Sequence, residues 1–351
     1  MSNNKSTTKR GEVRPGASTT APPSPTTQPS PPNNRAWLSR ILREPLLGPL
    51  IALLIAVVVF SSISDSFLNP FNVSLILQQS VVVGILAVGQ TLIILTSGID
   101  LSIGSVAVLG TIVMAQMFDA NGPVVALLAT FAVCVVLGAV NGGLVTVLRL
   151  PPFIVTLGTF TAIQAATRLL AGSQTYQVPD GSPLTFLGTT FRIFGFTTTY
   201  GVAVMLLVYA VVGYALSQTA WGRHVYAVGG SITASTLSGI KAGRTLFSVY
   251  VVTGVIAATA AWAALGRIPN ADPNAYQNAN LETITAVVIG GTSLFGGRGG
   301  VAGTLIGTLI VGVLRNGLTQ AGVDSLYQNI ATGILVIVAV TVDQFARRRT
   351  Q

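Results

Sequence analysis

Charge is what this sequence has least of. Only 8% of its 351 residues are Asp, Glu, Lys or Arg, against roughly 25% in soluble domains, too little to solvate a globular surface. Cysteine is nearly absent: Cys134 stands alone inside an apolar run, which excludes a disulfide framework and a cysteine metal site. His224 is the single histidine, so no histidine cluster can hold a metal. Enzyme signatures are missing too. There is no Gly-x-x-x-x-Gly-Lys-Ser/Thr phosphate loop, no His-Glu-x-x-His and no Gly-x-Ser-x-Gly. The chain is therefore expected to carry no catalytic site or cofactor, and it cannot hydrolyse nucleotide through a phosphate loop of its own. A net charge of +9 does not point to nucleic acid, because the basic residues lie at chain ends and in short loops rather than on one patch.

What is abundant is apolar sequence, half of all residues, with a mean hydropathy of +0.70. An apolar stretch of roughly 20 residues spans the hydrocarbon core, where the backbone can hydrogen-bond only to itself, so repeated stretches mean repeated helices. The runs predict an all-α, polytopic membrane protein with helices near 45–61, 74–96, 102–118, 123–147, 152–170, 200–217, 246–265, 283–295, 301–318 and 326–344. Turn chemistry separates them at 65–70, 119–123, 173–199 and 269–280. Residues 1–34 hold seven of the seventeen prolines among many Ser, Thr, Asn and Gln, which predicts a disordered tail over 1–40 ahead of a membrane domain at 45–345. The first apolar run begins near Pro45, too far in for a cleavable signal, and predicts an uncleaved first helix.

Ten crossings put both termini on one side, and Lys and Arg sort accordingly. With the ends cytoplasmic, the inside collects Arg35, Arg40, Arg43, Arg149, Arg223, Lys241, Arg244, Arg298, four basic residues of the tail and the basic C-terminus at 346–351 with Arg347, Arg348 and Arg349. The outside keeps Arg168, Arg192, Arg267 and Arg315, together with Asp65, Asp119, Asp180, Asp272, Glu282 and Asp324.

Three segments are dense enough to carry function. Residues 89–104 place Asp100 and several hydroxyls at the junction of two apolar runs. A charge costs about 2.5–3.5 kcal/mol at mid-membrane on insertion scales, so Asp100 should face protein, water or the inner interface. Either Asp100 or Ser102 caps the third helix while Gly98 ends the second, or Asp100 serves the solute path or its coupling, and the two readings are compatible. Residues 287–307 are glycine-rich. Gly303 and Gly307, like Gly138 and Gly142, form a small-xxx-small face for close helix approach, with helix breakage at 296–300 as the sharper alternative. The basic break at 218–244 is too long for a hairpin turn; its middle, Ser231 to Leu237, can form two turns of helix, either on the membrane surface or as a docking surface for another protein. Amides within the apolar runs, Gln78, Gln79, Gln90, Asn141, Gln164, Asn316 and Asn329, either bridge helices or touch solute.

These residues resemble the permease subunits of bacterial ATP-binding-cassette importers for ribose, galactose, xylose and related sugars. Thr96-Ser97-Gly98-Ile99-Asp100-Leu101-Ser102 looks like that family's most recognisable run. Gly222 to Ile240, with Gly-Arg-x-x-Tyr-Ala-x-Gly-Gly and then Leu237-Ser238-Gly239-Ile240, looks like its cytoplasmic loop, and Ala286 to Gly312 with Asn316-Gly317-Leu318 looks like its third signature. The likeness spans about residues 45 to 345. It implies a type II importer fold whose helices two to five and seven to ten repeat with opposite topology, in the bacterial cytoplasmic membrane. It implies an ATPase-coupling loop at Gly222, Arg223, His224, Tyr226, Gly229, Gly230, Leu237, Ser238, Gly239 and Lys241. Where the family often has Asn-Pro-Glu-Ala-Ala this chain has Ser231-Ile232-Thr233-Ala234-Ser235, which leaves the loop purely basic. The implied partners are a separate ATPase subunit that uses ATP and Mg, an extracytoplasmic sugar-binding protein, a second permease copy or paralogue, and membrane lipid. A sugar sheds water from its hydroxyls on entry, so the path needs neutral donors and acceptors; Gln90, Thr91, Ser97, Asp100, Asn141, Gln164 and Asn316 are its expected residues. The same scaffold could take a nucleoside, a polyol or a furanone signal, and an ion-coupled secondary transporter is the competing class.

Overall fold

The computed structural model describes residues 46–193 and 195–348, together with Gly11. The expectations for the tail at 1–40, the basic residues Arg35, Arg40 and Arg43, and the last residues from Arg349 onward lie outside the described residues.

The described chain is mostly helical. Its apolar helices are α1 (Leu47–Ile63), α2 (Pro70–Leu95), α3 (Ile103–Thr146), α4 (Pro152–Ala171) and α5 (Tyr200–Gln218). Two short helices follow, α6 (Ala220–Gly230) and α7 (Ile232–Leu237), and then α8 (Ala242–Arg267), α9 (Ala279–Ile289), α10 (Val301–Gln320) and α11 (Ser325–Arg348). Six of these, α2, α3, α4, α5, α8 and α10, are long and apolar enough to cross a membrane; α1, α9 and the apolar part of α11 are shorter.

The long α3 is two helices folded back on each other. Gly122 takes φ +78°, open to glycine at no steric cost, and Pro123 removes the next N–H donor. The Thr130 hydroxyl then reaches the Gly110 carbonyl at 3.3 Å and Cys134 Sγ lies 3.6 Å from the Val106 carbonyl, so 110 faces 130 and 106 faces 134, the register of an antiparallel pair. The apolar stretches at 102–118 and 123–147 thus correspond to its two arms.

α2 is the central post. From Ser80 to Leu95 every residue is buried, which fits a helix apolar on all sides. α8 lies beside it and presents Ala257, Ala258, Ala260, Ala261, Ala263 and Ala264 to its neighbours. In lipid the apolar environment outside matches the core, so close van der Waals contact rather than expulsion of water holds such helices together. Gly138 and Gly142 meet α8 at this contact: a methyl on Gly138 would strike the Tyr250 carbonyl, and one on Gly142 would sit 3.0 Å from Tyr250 Cβ. Gly303 and Gly307 of α10 face the carbonyls of Gly290 and Ala286 in the same manner. At the periphery, α1 exposes Leu50, Ile51, Leu54, Ile55, Val58, Val59 and Ile63, a stripe suited to acyl chains.

Three elements differ from the sequence expectation. The helix expected at 283–295 ends at Ile289, because Gly290 and Gly291 follow and Gly291 turns left-handed at φ +83°; residues 290–300 form a loop. Residues 220–230, read as part of a loop, are the helix α6, whose Thr219 side chain caps the Gly222 N–H at 3.2 Å. The segment 173–199 is not all turn: Tyr176–Gln177 (β1) pairs with Asn270–Ala271 (β4), and Thr190–Ile193 (β2) with Phe196–Thr199 (β3), both antiparallel. α7 occupies the expected place, with the Ser231 hydroxyl accepting from the Ala234 N–H.

Candidate functional site

α6 presents Gly222, Val225, Val228 and Gly229 inward and Arg223 and His224 outward. Glycine on the inner face lets its backbone reach the end of α2. A methyl on Gly229 would collide with the Leu95 carbonyl, and that carbonyl also accepts from the Gly297 N–H at 3.0 Å. Ser97 stands in the same crevice, its backbone left-handed at φ +63°. Its Oγ lies 2.8 Å from the Gly229 carbonyl and 2.9 Å from the Phe295 carbonyl, so one hydroxyl proton is shared between two acceptors on different segments. Tyr226 closes the junction by donating to the Gly299 carbonyl at 2.9 Å, and desolvation pushes its hydroxyl above the ordinary value. The ends of α2 and α6 and the loop before α10 are thus in backbone contact. Trp221 adds a tie to α8 through Ser248 at 2.8 Å. The outer surface of this pair of short helices holds Arg223, His224, Ser238, Gly239 and Lys241, all exposed, and Leu237, 85% exposed.

Two residues beyond Gly98 the chain is knotted by Asp100. Its Oδ1 accepts from both the N–H and the hydroxyl of Ser102 at 2.7 Å, and Asn141 of α3 donates to the Ser102 hydroxyl at 2.9 Å. Thr156 of α4 donates to the Ile99 carbonyl, and Asn280 of α9 accepts the first-turn Gly104 N–H at 2.8 Å. Asp100 thus fixes Ser102 within the α2–α3 junction, which its neighbours Ile99 and Gly104 tie to α4 and α9, and it is sealed from solvent, 3% exposed. The left-handed residue that ends α2 is Ser97 rather than Gly98.

Of the other path residues expected from sequence, Gln90, Thr91, Asn141 and Asn316 are enclosed within the chain. Thr91 meets Thr304 of α10 hydroxyl to hydroxyl at 2.7 Å. Both amide atoms of Gln90, and the Oδ1 atoms of Asn141 and Asn316, make no hydrogen bond among the described residues. Gln164 is half-buried and opens into a small pocket with Ser105, Tyr276 and Asn280.

A larger hollow, about 610 Å³, lies at the far end of α2 and α10. Its wall holds Gln79 and Val83 of α2, Arg267 at the end of α8, Asn274 to Asn278 of the following segment, Glu282 of α9, and Arg315 and Thr319 of α10. Arg315 Nη1 bonds Glu282 Oε1 at 2.7 Å, the one ion pair among the described residues. Burial pushes the Tyr276 hydroxyl up, with Arg267 acting in the opposite sense. Sequence reasoning put Glu282, Arg267 and Arg315 in the outer set of charges and Gln79 among the amides, but nothing in one chain's spacing joins them. A second hollow of about 700 Å³ lies under the 180–189 segment beside Trp262.

α2 and α10 connect the junction with the 610 Å³ hollow. Leu95 and Gln79 are sixteen residues apart on one helix, about 24 Å at 1.5 Å per residue, and Val301 and Arg315 are fourteen apart on the other, about 21 Å. The two helices also touch between these ends, at Thr91 with Thr304 and at Gly312 with Ser80.

Residues 72–340 match a family model described as branched-chain amino acid transport system / permease component. Over 312 residues the chain is 44% identical to the fructose import permease protein FrcC of Rhizobium meliloti, with 87% of each chain covered. It is 39% identical over 305 residues to the ribose import permease protein RbsC of Bacillus subtilis (strain 168), covering 85% of this chain and 92% of that one. The ribose import permease protein RbsC of Escherichia coli (strain K12) is 39% identical over 299 residues, 84% of this chain and 92% of that one. No solved structure matches the chain.

Proposed function

The chain belongs to the branched-chain amino acid transport system / permease component family, and on that premise we propose that it translocates a monosaccharide delivered by an extracytoplasmic binding protein, driven by a separate ATPase subunit. Its apolar helices and its relatives make it a multi-pass protein of the bacterial cytoplasmic membrane, the permease component of a sugar importer. In this reading ten crossings with cytoplasmic ends, a type II importer arrangement and a permease dimer put α6 and α7 on the cytoplasmic face and the 610 Å³ hollow outside. ATP and Mg belong to the ATPase, and this chain holds neither.

One observation carries the reading: α6 touches the α2 end and the loop before α10 backbone to backbone, and these two helices run on to the hollow. A displacement of α6 and α7 by a closing ATPase pair must move Leu95 and Gly297 with it, because no flexible side chain lies between to absorb it. The ATPase would meet Arg223, His224 and Lys241 around the exposed Leu237, an apolar knob in a basic rim that fits a groove with acidic edges. The unpartnered amides of Gln90, Asn141 and Asn316 support a path through the interior. A buried polar atom without a partner costs about 1–3 kcal/mol, a cost that sugar hydroxyls relieve when the helices part. The ion-coupled alternative gains little from the two buried carboxylates, since Asp100 is held by Ser102 and Glu282 by Arg315.

Uptake of labelled pentoses and hexoses by cells lacking the gene tests the cargo: loss of uptake for one monosaccharide is expected, and unchanged uptake of all of them defeats the sugar reading. Arg223→Ala with Lys241→Ala tests the coupling surface through the amount of ATPase that co-purifies, which should fall.

A further inference from the structure

We propose that the hollow between α2, α8, α9 and α10 is a binding site for a neutral monosaccharide, with Gln79, Asn278 and Glu282 as its polar contacts and Arg315 as the residue that positions Glu282. The proposal rests on the importer reading and adds to it the place where the sugar sits.

Its volume, about 610 Å³, falls within the roughly 300–1,000 Å³ of small-molecule sites. The wall chemistry suits hydroxyls rather than ions. Gln79, Asn274, Gln277 and Asn278 each offer an amide N–H₂ and an amide oxygen, Thr319 offers a hydroxyl, and Val83, Ala275 and Ala279 supply apolar wall for C–H groups.

Glu282 is the buried charge of the site, with its side chain 9% exposed. Arg315 engages only Oε1, and no hydrogen bond among the described residues engages Oε2. An ionised carboxylate has about four lone-pair positions, so the second oxygen remains able to accept from a pair of adjacent sugar hydroxyls. Arg315 cancels the charge of this carboxylate and fixes its direction. Arg267 is the remaining cation of the wall. It is exposed and sits in the last turn of α8, where a cation is favoured by the unpaired carbonyls of the helix end. The buried charge of the site is thus cancelled within it and the remaining cation lies exposed at its edge, which leaves the interior suited to a neutral sugar.

The experiment uses the permease assembled with its ATPase and binding protein in proteoliposomes, supplied with labelled D-fructose and D-ribose. Glu282→Gln is expected to raise the sugar concentration for half-maximal uptake about tenfold, the worth of one hydrogen bond to a charged group, and Gln79→Ala about fivefold, the worth of a neutral one. Arg315→Gln should shift the same concentration less than Glu282→Gln, as a positioning role requires. Unchanged half-saturation in both Glu282→Gln and Gln79→Ala overturns the site while leaving the importer reading intact. A wild-type assembly that imports neither sugar nor any other monosaccharide overturns both.

A second measurement is independent of how well those variants fold. Cys134 is fully buried, so Asn274→Cys gives one accessible thiol at the wall. Millimolar neutral sugar should slow its reaction with a membrane-impermeant maleimide, while Asp119→Cys at the distant α3 turn should react unchanged. Protection by D-glucuronate and not by neutral sugar overturns the neutral class, and absence of protection by any sugar overturns the site.

Discussion

At the start of α10 three backbone segments touch with hardly a side chain between them, whereas at its far end side chains from several elements stand apart around a hollow. The first arrangement is built from Gly229, Gly296 and Gly297 and transmits displacement because nothing in it can rotate out of the way. The second is built from Gln79, Asn278, Glu282, Arg315 and Thr319, whose torsions can adjust to a guest. The contrast teaches where the chain needs fixed distances and where it needs adaptable ones: substitutions should be costly at the junction and mild in structure, though not in affinity, at the hollow.

The strongest challenge to that contrast is Gly229→Val. Its branched side chain would enter the space of the Leu95 carbonyl, and overpacking of this kind costs about 3 kcal/mol. The purified chain in detergent should melt at a clearly lower temperature and the assembled importer should lose uptake; a wild-type melt would show that the close approach is not needed. Asp100→Ala comes next. It strands the Ser102 N–H and frees the α2–α3 knot, at about 2 kcal/mol for lost hydrogen bonds to a charged group, read by the same melt. Ser97→Ala should cost about 1 kcal/mol, the worth of its shared hydroxyl bond. Ser97→Gly should melt near wild type, since relief of the left-handed backbone, worth about 1 kcal/mol, offsets the lost bond. Both Ser97 variants should hydrolyse ATP with less uptake per ATP, and equal coupling to wild type would remove Ser97 from the transmission. Smallest is Thr319→Ala at the hollow, expected to change stability by less than about 0.5 kcal/mol while weakening sugar uptake measurably.

Much of the fold was legible because lipid leaves the backbone few choices. Each apolar run, including both arms of α3, has its helix. Asp100 was legible as an acceptor at the start of α3, where it takes the N–H and hydroxyl of Ser102, whereas Ser102 itself makes no side-chain cap of the helix. α6 escaped notice because Gly222, Gly229 and Gly230 weaken helical propensity, and only the contact with Leu95 explains why they are there. The end of α9 was misplaced by six residues since glycine is common inside membrane helices, so Gly290-Gly291 did not read as a stop. The hollow was not legible at all: its wall joins Gln79 with Glu282 and Arg315 across more than two hundred residues, a proximity set by helix crossings. Conversely Gln90, Asn141 and Asn316, conspicuous as amides in apolar runs, turn out to be enclosed rather than at a cavity wall.

The fold at Gly122 and Pro123 also bears on how the protein is made. The arms of α3 are consecutive in the chain, carry one acidic residue, Asp119, near their turn, and meet through Thr130 and Cys134 at Gly110 and Val106, where Ala261 of α8 also packs. As they emerge from the ribosome they can enter the bilayer as a pair, already paired before α8 has been synthesised. α8, made later, settles on the face of Gly138 and Gly142 and closes over Gly110, so the hairpin and α8 complete one packed unit from segments about a hundred residues apart.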